Sequence, residues 1–416
     1  MKKVLLVALL AAAGIANADV ALYGVLDTGV MTQSNGAPAD PNAGPAIQTL
    51  PAQTALQNGR VTGMYNGGLS TSRWGITGSD KESGAVFRLE SVLNLPYGTN
   101  PNGRVADSQV QTGSPFVSSE GSNDGQMFAR ESTVGLVGKF GELRLGRQTT
   151  VMADHIADFD AVGGYFSPLA YNGGYGGAGF TAEARWDQSL KFKTTVAPGV
   201  TVHAGYKFGA TNSDYATGSA VAAGVDYQVF SMLKLGAVYE RNHDAQSVAA
   251  GSTAGTLKLT TGDTHAYAAF AEVTPASTLS FKVGGEQIYT ENPFNPAYDQ
   301  SINMISNLPV TAYSVTSYTV PRTQNMFWAT TTFNFAPTWS TSLGVYQLNT
   351  SPYGSSTSAA TAQSESVAKY FAGNVVKSLS KQTDVYVTAS ASATTGPVWT
   401  GQRSVESQAI GLRVKF

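Results

Sequence analysis

The feature that most constrains this chain is a period-two alternation of apolar and polar residues, repeated over stretches of about ten residues along its length. In Val200 to Phe208, Val200, Val202, Ala204, Tyr206 and Phe208 share one face, while Thr201, His203, Gly205 and Lys207 share the other. Leu233, Leu235, Ala237 and Tyr239 oppose Lys234, Gly236, Val238 and Glu240. At the end, Ile410, Leu412, Val414 and Phe416 alternate with Gly411, Arg413 and Lys415. Such a pattern makes strands with two chemically different faces, and about ten residues is the span of a tilted membrane strand.

Sixteen stretches qualify: 20–31, 71–80, 84–93, 129–138, 141–148, 186–196, 200–209, 219–229, 232–241, 263–273, 278–290, 323–335, 339–349, 366–377, 383–392 and 405–416. Their connections alternate in length. Short turns such as Asp80-Lys81-Glu82-Ser83, Lys139-Phe140-Gly141 and Ala197-Pro198-Gly199 carry turn-forming residues. The segments 32–70, 94–128, 149–185 and 291–322 are long and dense in Gly, Pro, Asn and Ser. Loops of that length are unusual in a compact soluble domain, but they are expected on one side of an outer-membrane barrel. Charged residues make up 13% of the chain, about half the usual ~25%. Hydrocarbon offers no hydrogen-bond partner, so a sheet that meets lipid must close and leave no edge. The expectation is an all-β, 16-stranded antiparallel transmembrane β-barrel, apolar face outward and polar face around water.

The first eighteen residues read as an export signal: Lys2 and Lys3, an apolar run from Val4 to Ala13, and Ala16-Asn17-Ala18 as a small-x-small cleavage site. The apolar run is shorter than the ~20 residues a spanning helix needs. Residues 1–18 are thus a signal peptide, and 19–416 form one barrel domain. The location implied is the cell outer membrane, with its lipid as a partner.

Several function classes drop out. With no cysteine there is no disulfide framework or thiolate chemistry. A net charge of -2 gives no footprint for nucleic acid. His155, His203, His243 and His265 stand singly without metal-ligand spacing, so no metal and no cofactor are expected. Gly174 to Gly179 fits G-x-G-x-x-G, but no strand–turn–helix surrounds it. No nucleophile motif accompanies any histidine, so the chain is not expected to be an enzyme. Tyr23, Trp74, Tyr206, Tyr239, Trp328, Trp339 and Tyr346 read mostly as lipid-interface girdle residues.

Four segments carry a family resemblance: Val20-Ala21-Leu22-Tyr23-Gly24-Val25-Leu26-Asp27, Ser72-Arg73-Trp74-Gly75-Ile76-Thr77-Gly78, Val134 to Gln148, and the terminal Ala409 to Phe416. Together they resemble the general-diffusion porins of Gram-negative outer membranes, most like the β-proteobacterial and neisserial branch. The resemblance implies a homotrimer in which each barrel is a water-filled channel for passive diffusion of small hydrophilic solutes and ions. The alternative is a substrate-specific channel with a luminal binding site. It also implies that the third long loop, 149–185, folds inward and narrows the pore, and that Phe416 is read by the outer-membrane assembly machinery.

A diffusion pore is tuned by the radius and charges of its waist. Arg73 and Arg88 fall on the polar face of their strands, opposite Trp74, Ile76, Phe87 and Leu89. Arg130, Arg144, Lys191 and Lys193 follow on later strands. Similar porins place a basic cluster here, and Arg73 and Arg130 match it best. On a lipid face each charge would cost ~2–4 kcal/mol near the midplane, which favours the lumen. Arg147 shares parity with Leu143 and Leu145, so it reaches the lumen only if its strand bends. On the loop, Asp154, Asp158 and Asp160 are the candidate acidic partners. Related porins often carry a Pro-Glu-Phe-Gly-like stretch near the loop tip, where this chain reads Gly163-Gly164-Tyr165-Phe166-Ser167-Pro168.

Overall fold

In the computed structural model, the described residues are 18–34, 60–96, 98, 127–128, 130–164, 166–169, 184–209, 219–243, 264–290, 322–351, 365–395 and 404–416. The strands are β1 (Ala18–Ser34), β2 (Arg60–Asn66), β3 (Arg73–Asp80), β4 (Ala85–Val92), β5 (Glu131–Gly138), β6 (Gly141–Thr149), β7 (Arg185–Ala197), β8 (Val200–Lys207) and β9 (Ala220–Phe230). They continue as β10 (Leu233–Asn242), β11 (Thr264–Ala276), β12 (Leu279–Thr290), β13 (Arg322–Ala336), β14 (Trp339–Thr350), β15 (Ser366–Ser378), β16 (Thr383–Thr395) and β17 (Ser404–Lys415). A helix, α1 (Val151–Asp158), follows β6.

Consecutive strands pair antiparallel, and β17 returns to β1 in the register Val25↔Lys415 through Ser34↔Glu406. The closure is completed by Gly24 and Phe416, which exchange backbone hydrogen bonds of 2.9 and 3.1 Å. Both β2 and β3 pair with β1: Thr28↔Asn66 onward on one half, Val25↔Arg73 back to Ala18↔Asp80 on the other. They are two halves of one interrupted strand, so the seventeen segments make a closed sixteen-stranded wall. Edge closure thus satisfies the backbone as hydrocarbon demands.

The two faces are inverted relative to a soluble sandwich. Leu22, Val387 and Ile410 are 63%, 56% and 57% exposed on the outside. Tyr267, Phe281, Val283, Phe327, Val345 and Phe371 are exposed beside them. Inward positions hold Asp27, Glu90, Gln148, Glu240 and Glu286, all buried. Among the described residues no helix is long and apolar enough to cross a membrane; strands do the spanning. Phe371 lies near the middle of β15 on the outer face. Phe371→Arg should destabilise the barrel by ~2–4 kcal/mol in lipid vesicles. Equilibrium unfolding by denaturant checks this, and an unchanged midpoint would mean that this face does not meet lipid.

Three differences from the sequence reading concern the first long loop, the third long loop and the orientation of strand aromatics. β1 runs on to Ser34, and β2 occupies 60–66, where 32–70 reads as loop. Its seven residues are too few, and too punctuated by Gly63, for a period-two signal. α1 lies within 149–185; Thr150 caps it by accepting from the Ala153 N–H at 3.0 Å, and Asp154 sits in its first turn. Third, Tyr23, Trp328 and Tyr346 point inward rather than to the lipid interface. Tyr23 donates to Glu90 at 2.9 Å, Trp328 to the Phe159 carbonyl at 3.0 Å, and Tyr346 to Asp160 at 2.8 Å.

Candidate functional site: the barrel lumen

The chain after β6 turns into the lumen and lies against the inner wall. Small residues make room for α1: a Cβ on Gly205 or Gly224 would press on Val151, and one on Gly224 also on His155. Phe159 stacks on Phe270 with ring centroids 5.0 Å apart, and the Ala161 N–H donates to Thr330 at 3.1 Å. Further on, Phe166 meets Tyr65 edge-on at 5.6 Å. Residues 151–164 and 166–169 therefore track from β8 past β11, β13 and β14 to the interruption between β2 and β3. There Gly164, with φ +61°, sits so near Gly68 that a Cβ would come within 2.3 Å of its carbonyl oxygen.

That interruption is organised by Asp27. Its carboxylate accepts the N–H groups of Gly68, Leu69 and Ser70 at 3.1, 2.9 and 2.8 Å, and the Tyr386 hydroxyl at 2.5 Å. Tyr65 donates to Tyr386 at 2.8 Å. The Asp27 backbone is tied to Ser72 and Gly67. Residues 68–70 thus find their acceptors on one buried side chain, and Gly67 and Ser72 find theirs on the backbone carbonyl of the same residue.

The inner faces of β3 to β7 carry a lattice of alternating charge. Arg73 and Arg130 flank Glu90 at 3.3 and 2.7 Å. Arg88 and Arg144 flank Glu131 at 3.3 and 3.7 Å, and Arg144 also bonds Glu142. The register explains the grouping: Gly75↔Glu90 and Glu90↔Glu131 place the acids in one lateral row between the arginines. Arg88 also lies 5.6 Å over the Tyr23 ring. Lys191, on the same inner face, reaches across to the loop and pairs with Asp154 at 2.6 Å. Arg147 sits at a register shift between Gly146 and Gln148 and pairs with Asp187 at 2.5 Å.

The three loop acids have different fates. Asp154 is held by Lys191 and Thr149 at the start of α1. Asp158 is the most exposed of them, with Lys234 at 3.6 Å and its carbonyl bonded to Lys282. Asp160 is buried, accepting from Tyr346, Ser167 and the Val162 N–H, so it anchors the loop rather than facing the lumen. Sequence reasoning missed Glu90, Glu131, Glu142, Lys234 and Lys282. Parity was the available signal, since Glu90 follows Arg88 by two and Lys282 lies between outward Phe281 and Val283.

The fold also brings His155 and His203 together with Asp226, although no spacing in the sequence pairs them. Burial pushes the His155 imidazole below its ordinary range. Phe416 is half exposed, its ring over Gly24. The Gly174 to Gly179 stretch and nearly all of 1–18 lie outside the described residues.

The lumen and wall have known counterparts. A family model described as Gram-negative porin matches residues 5–396. An outer membrane porin protein of Bordetella pertussis is 31% identical over 227 residues, covering 51% of this chain and 50% of that protein. The match thus spans about half the length of that curated relative. The anion-selective porin of Comamonas acidovorans has a TM-score of 0.64 at 17% identity, covering 96% of this chain and 100% of its own. A loop-deleted OmpT of Vibrio cholerae gives 0.61 at 14%, covering 96% and 100%, and Salmonella typhi OmpF gives 0.55 at 12%, covering 96% and 98%. These structures share the fold, and the family model spans nearly all of the sequence: the chain belongs to the Gram-negative porin family.

Proposed function

We propose that the protein is an outer-membrane porin through which small hydrophilic solutes and ions diffuse passively, without energy coupling. The observation that carries this reading is the inversion of the two strand faces, with apolar side chains outside and ionised ones within a closed wall. In this reading residues 1–18 direct export and are removed, and Phe416 marks the barrel for assembly. Three copies associate, each with its own pore.

The waist lies between the stretch 151–164 and the inner face of β3 to β7. Arg73, Arg88, Arg130 and Arg144 form its basic edge, softened by Glu90, Glu131 and Glu142. Asp158 forms the opposing acidic edge with Lys234 and Lys282 close by, while the Lys191–Asp154 pair spans the two. Charges of opposite sign facing each other across water set up a transverse field that orients dipolar solutes.

The experiment is insertion of purified trimers into a planar bilayer. Stepwise conductance that rises linearly with salt is expected; folded trimers that never conduct would overturn the proposal. Flux that saturates for one solute class would instead favour a substrate-specific channel.

A further inference from the structure

We propose that His155, His203 and Asp226 form a divalent transition-metal site of zinc type, which staples the inward helix to the barrel wall. This goes beyond the channel reading. One ligand comes from each of three elements: α1, β8 and β9. Their donor atoms all lie within 4.8 Å of one another, with His203 Nε2 3.0 Å and His155 Nε2 3.6 Å from Asp226 Oδ2.

The decisive observation is the tautomer of His155. Its Nδ1 lies 2.8 Å from the Val151 carbonyl oxygen, which can only accept, so Nδ1 carries the proton. Nε2 is therefore the atom turned toward the Asp226 carboxylate, 3.6 Å away and beyond hydrogen-bonding distance. That nitrogen has no hydrogen-bond partner, and its side chain is 2% exposed. Asp226 Oδ1 is likewise buried without a hydrogen bond. A cation there supplies the partner that Nε2 lacks, and the Nδ1–H···O=C bond is the kind of outer contact that orients a metal-binding imidazole.

The donor set, two imidazoles and one carboxylate, suits Zn²⁺ with a water in the fourth position. Tetrahedral ligation puts ligand atoms about 3.3 Å apart, so the pairs involving Asp226 already fit and the two histidines need only draw together. His203 and Asp226 keep 10% and 16% of their side chains exposed, which gives the ion an approach from the lumen. Lys234, 3.5 Å from Asp226 Oδ1, is the opposing charge. It has somewhere to go, since Asp158 lies 3.6 Å away and the Phe159 ring 4.8 Å.

The test uses the full-length, detergent-folded protein, stripped with chelator and titrated with Zn²⁺ by calorimetry, with X-ray absorption of the loaded form. One zinc per chain is expected, with two imidazoles and oxygen ligands at about 2.0–2.1 Å. His203→Gln and Asp226→Asn should each weaken binding more than about 100-fold, beyond the loss seen for outer-shell changes. The double variant His243→Gln/His265→Gln should bind as the parent does. Absence of saturable uptake by the intact barrel, a spectrum without two imidazoles, or equal uptake by all variants would overturn the site. A barrel that conducts but takes up no zinc would overturn this inference alone. The spectrum of the parent decides the matter even where a variant fails to fold.

Discussion

Asp27→Ala should cost the barrel about 3 kcal/mol or more, the largest stability loss expected of any single substitution in its wall. The carboxylate gathers four donors: the N–H groups of Gly68, Leu69 and Ser70, and the Tyr386 hydroxyl. A buried donor left without an acceptor costs about 1–3 kcal/mol, so even generous relaxation leaves a deficit of several. Alanine removes all four acceptor contacts at once and leaves Tyr386 and Tyr65 sharing one hydrogen bond. Asp27→Asn keeps the shape and one acceptor oxygen, and should lose roughly half as much. Denaturant unfolding in detergent, followed by the shift in gel mobility between folded and heated barrel, measures both. Because Gly164 packs against Gly68, the inward loop loses its far support in the same variant. Larger and noisier single-channel currents should accompany the lost stability. A barrel as stable as the parent would mean that residues 68–70 do not depend on this carboxylate.

The wall was legible in the sequence because lipid on one side and water on the other impose a strict period of two. Each of the sixteen predicted strands overlaps a single observed strand, and 71–80 coincides with β3, one half of the interrupted strand. What escaped was the other half of that second strand. β2 exists because β1 extends to Ser34 and offers it a partner, which is a tertiary cause invisible in seven residues. The basic residues Arg73, Arg88 and Arg144 were readable by parity, but their partners depend on register. Glu90 and Glu131 become neighbours only through the β4–β5 pairing. The loop was less legible still. Asp154, Asp158 and Asp160 look alike as a sequence, yet Tyr346, on a strand far along the chain, takes Asp160 out of the lumen. His155, His203 and Asp226 show the same limit, since helix and strands must meet before the three can be seen as a group.

The triple variant Arg73→Gln/Arg88→Gln/Arg130→Gln should move the reversal potential toward that of cations. The inner face of β3 to β6 pairs four arginines with Glu90, Glu131 and Glu142, so its charge is weakly positive. Removing three of the four leaves the acids in excess, and the sign of the wall inverts. A unit charge about 7 Å from an ion in water is worth about 0.6 kcal/mol, or nearly three-fold in local ion concentration. Three such charges, partly screened at 0.1 M salt, should change the cation-to-anion permeability ratio by about three-fold or more. The effect should shrink at 1 M salt, where the Debye length falls to about 3 Å. Glu90→Gln supplies the opposite sign: it frees Arg73 and Arg130 and should push selectivity toward anions. Since Glu90 holds both arginines, that substitution also tests whether the lattice is rigid. Measurement across a salt gradient in a planar bilayer resolves the two directions. If the triple variant leaves the reversal potential unchanged, ions pass the waist beyond the reach of this wall, and the selective charges lie elsewhere in the pore.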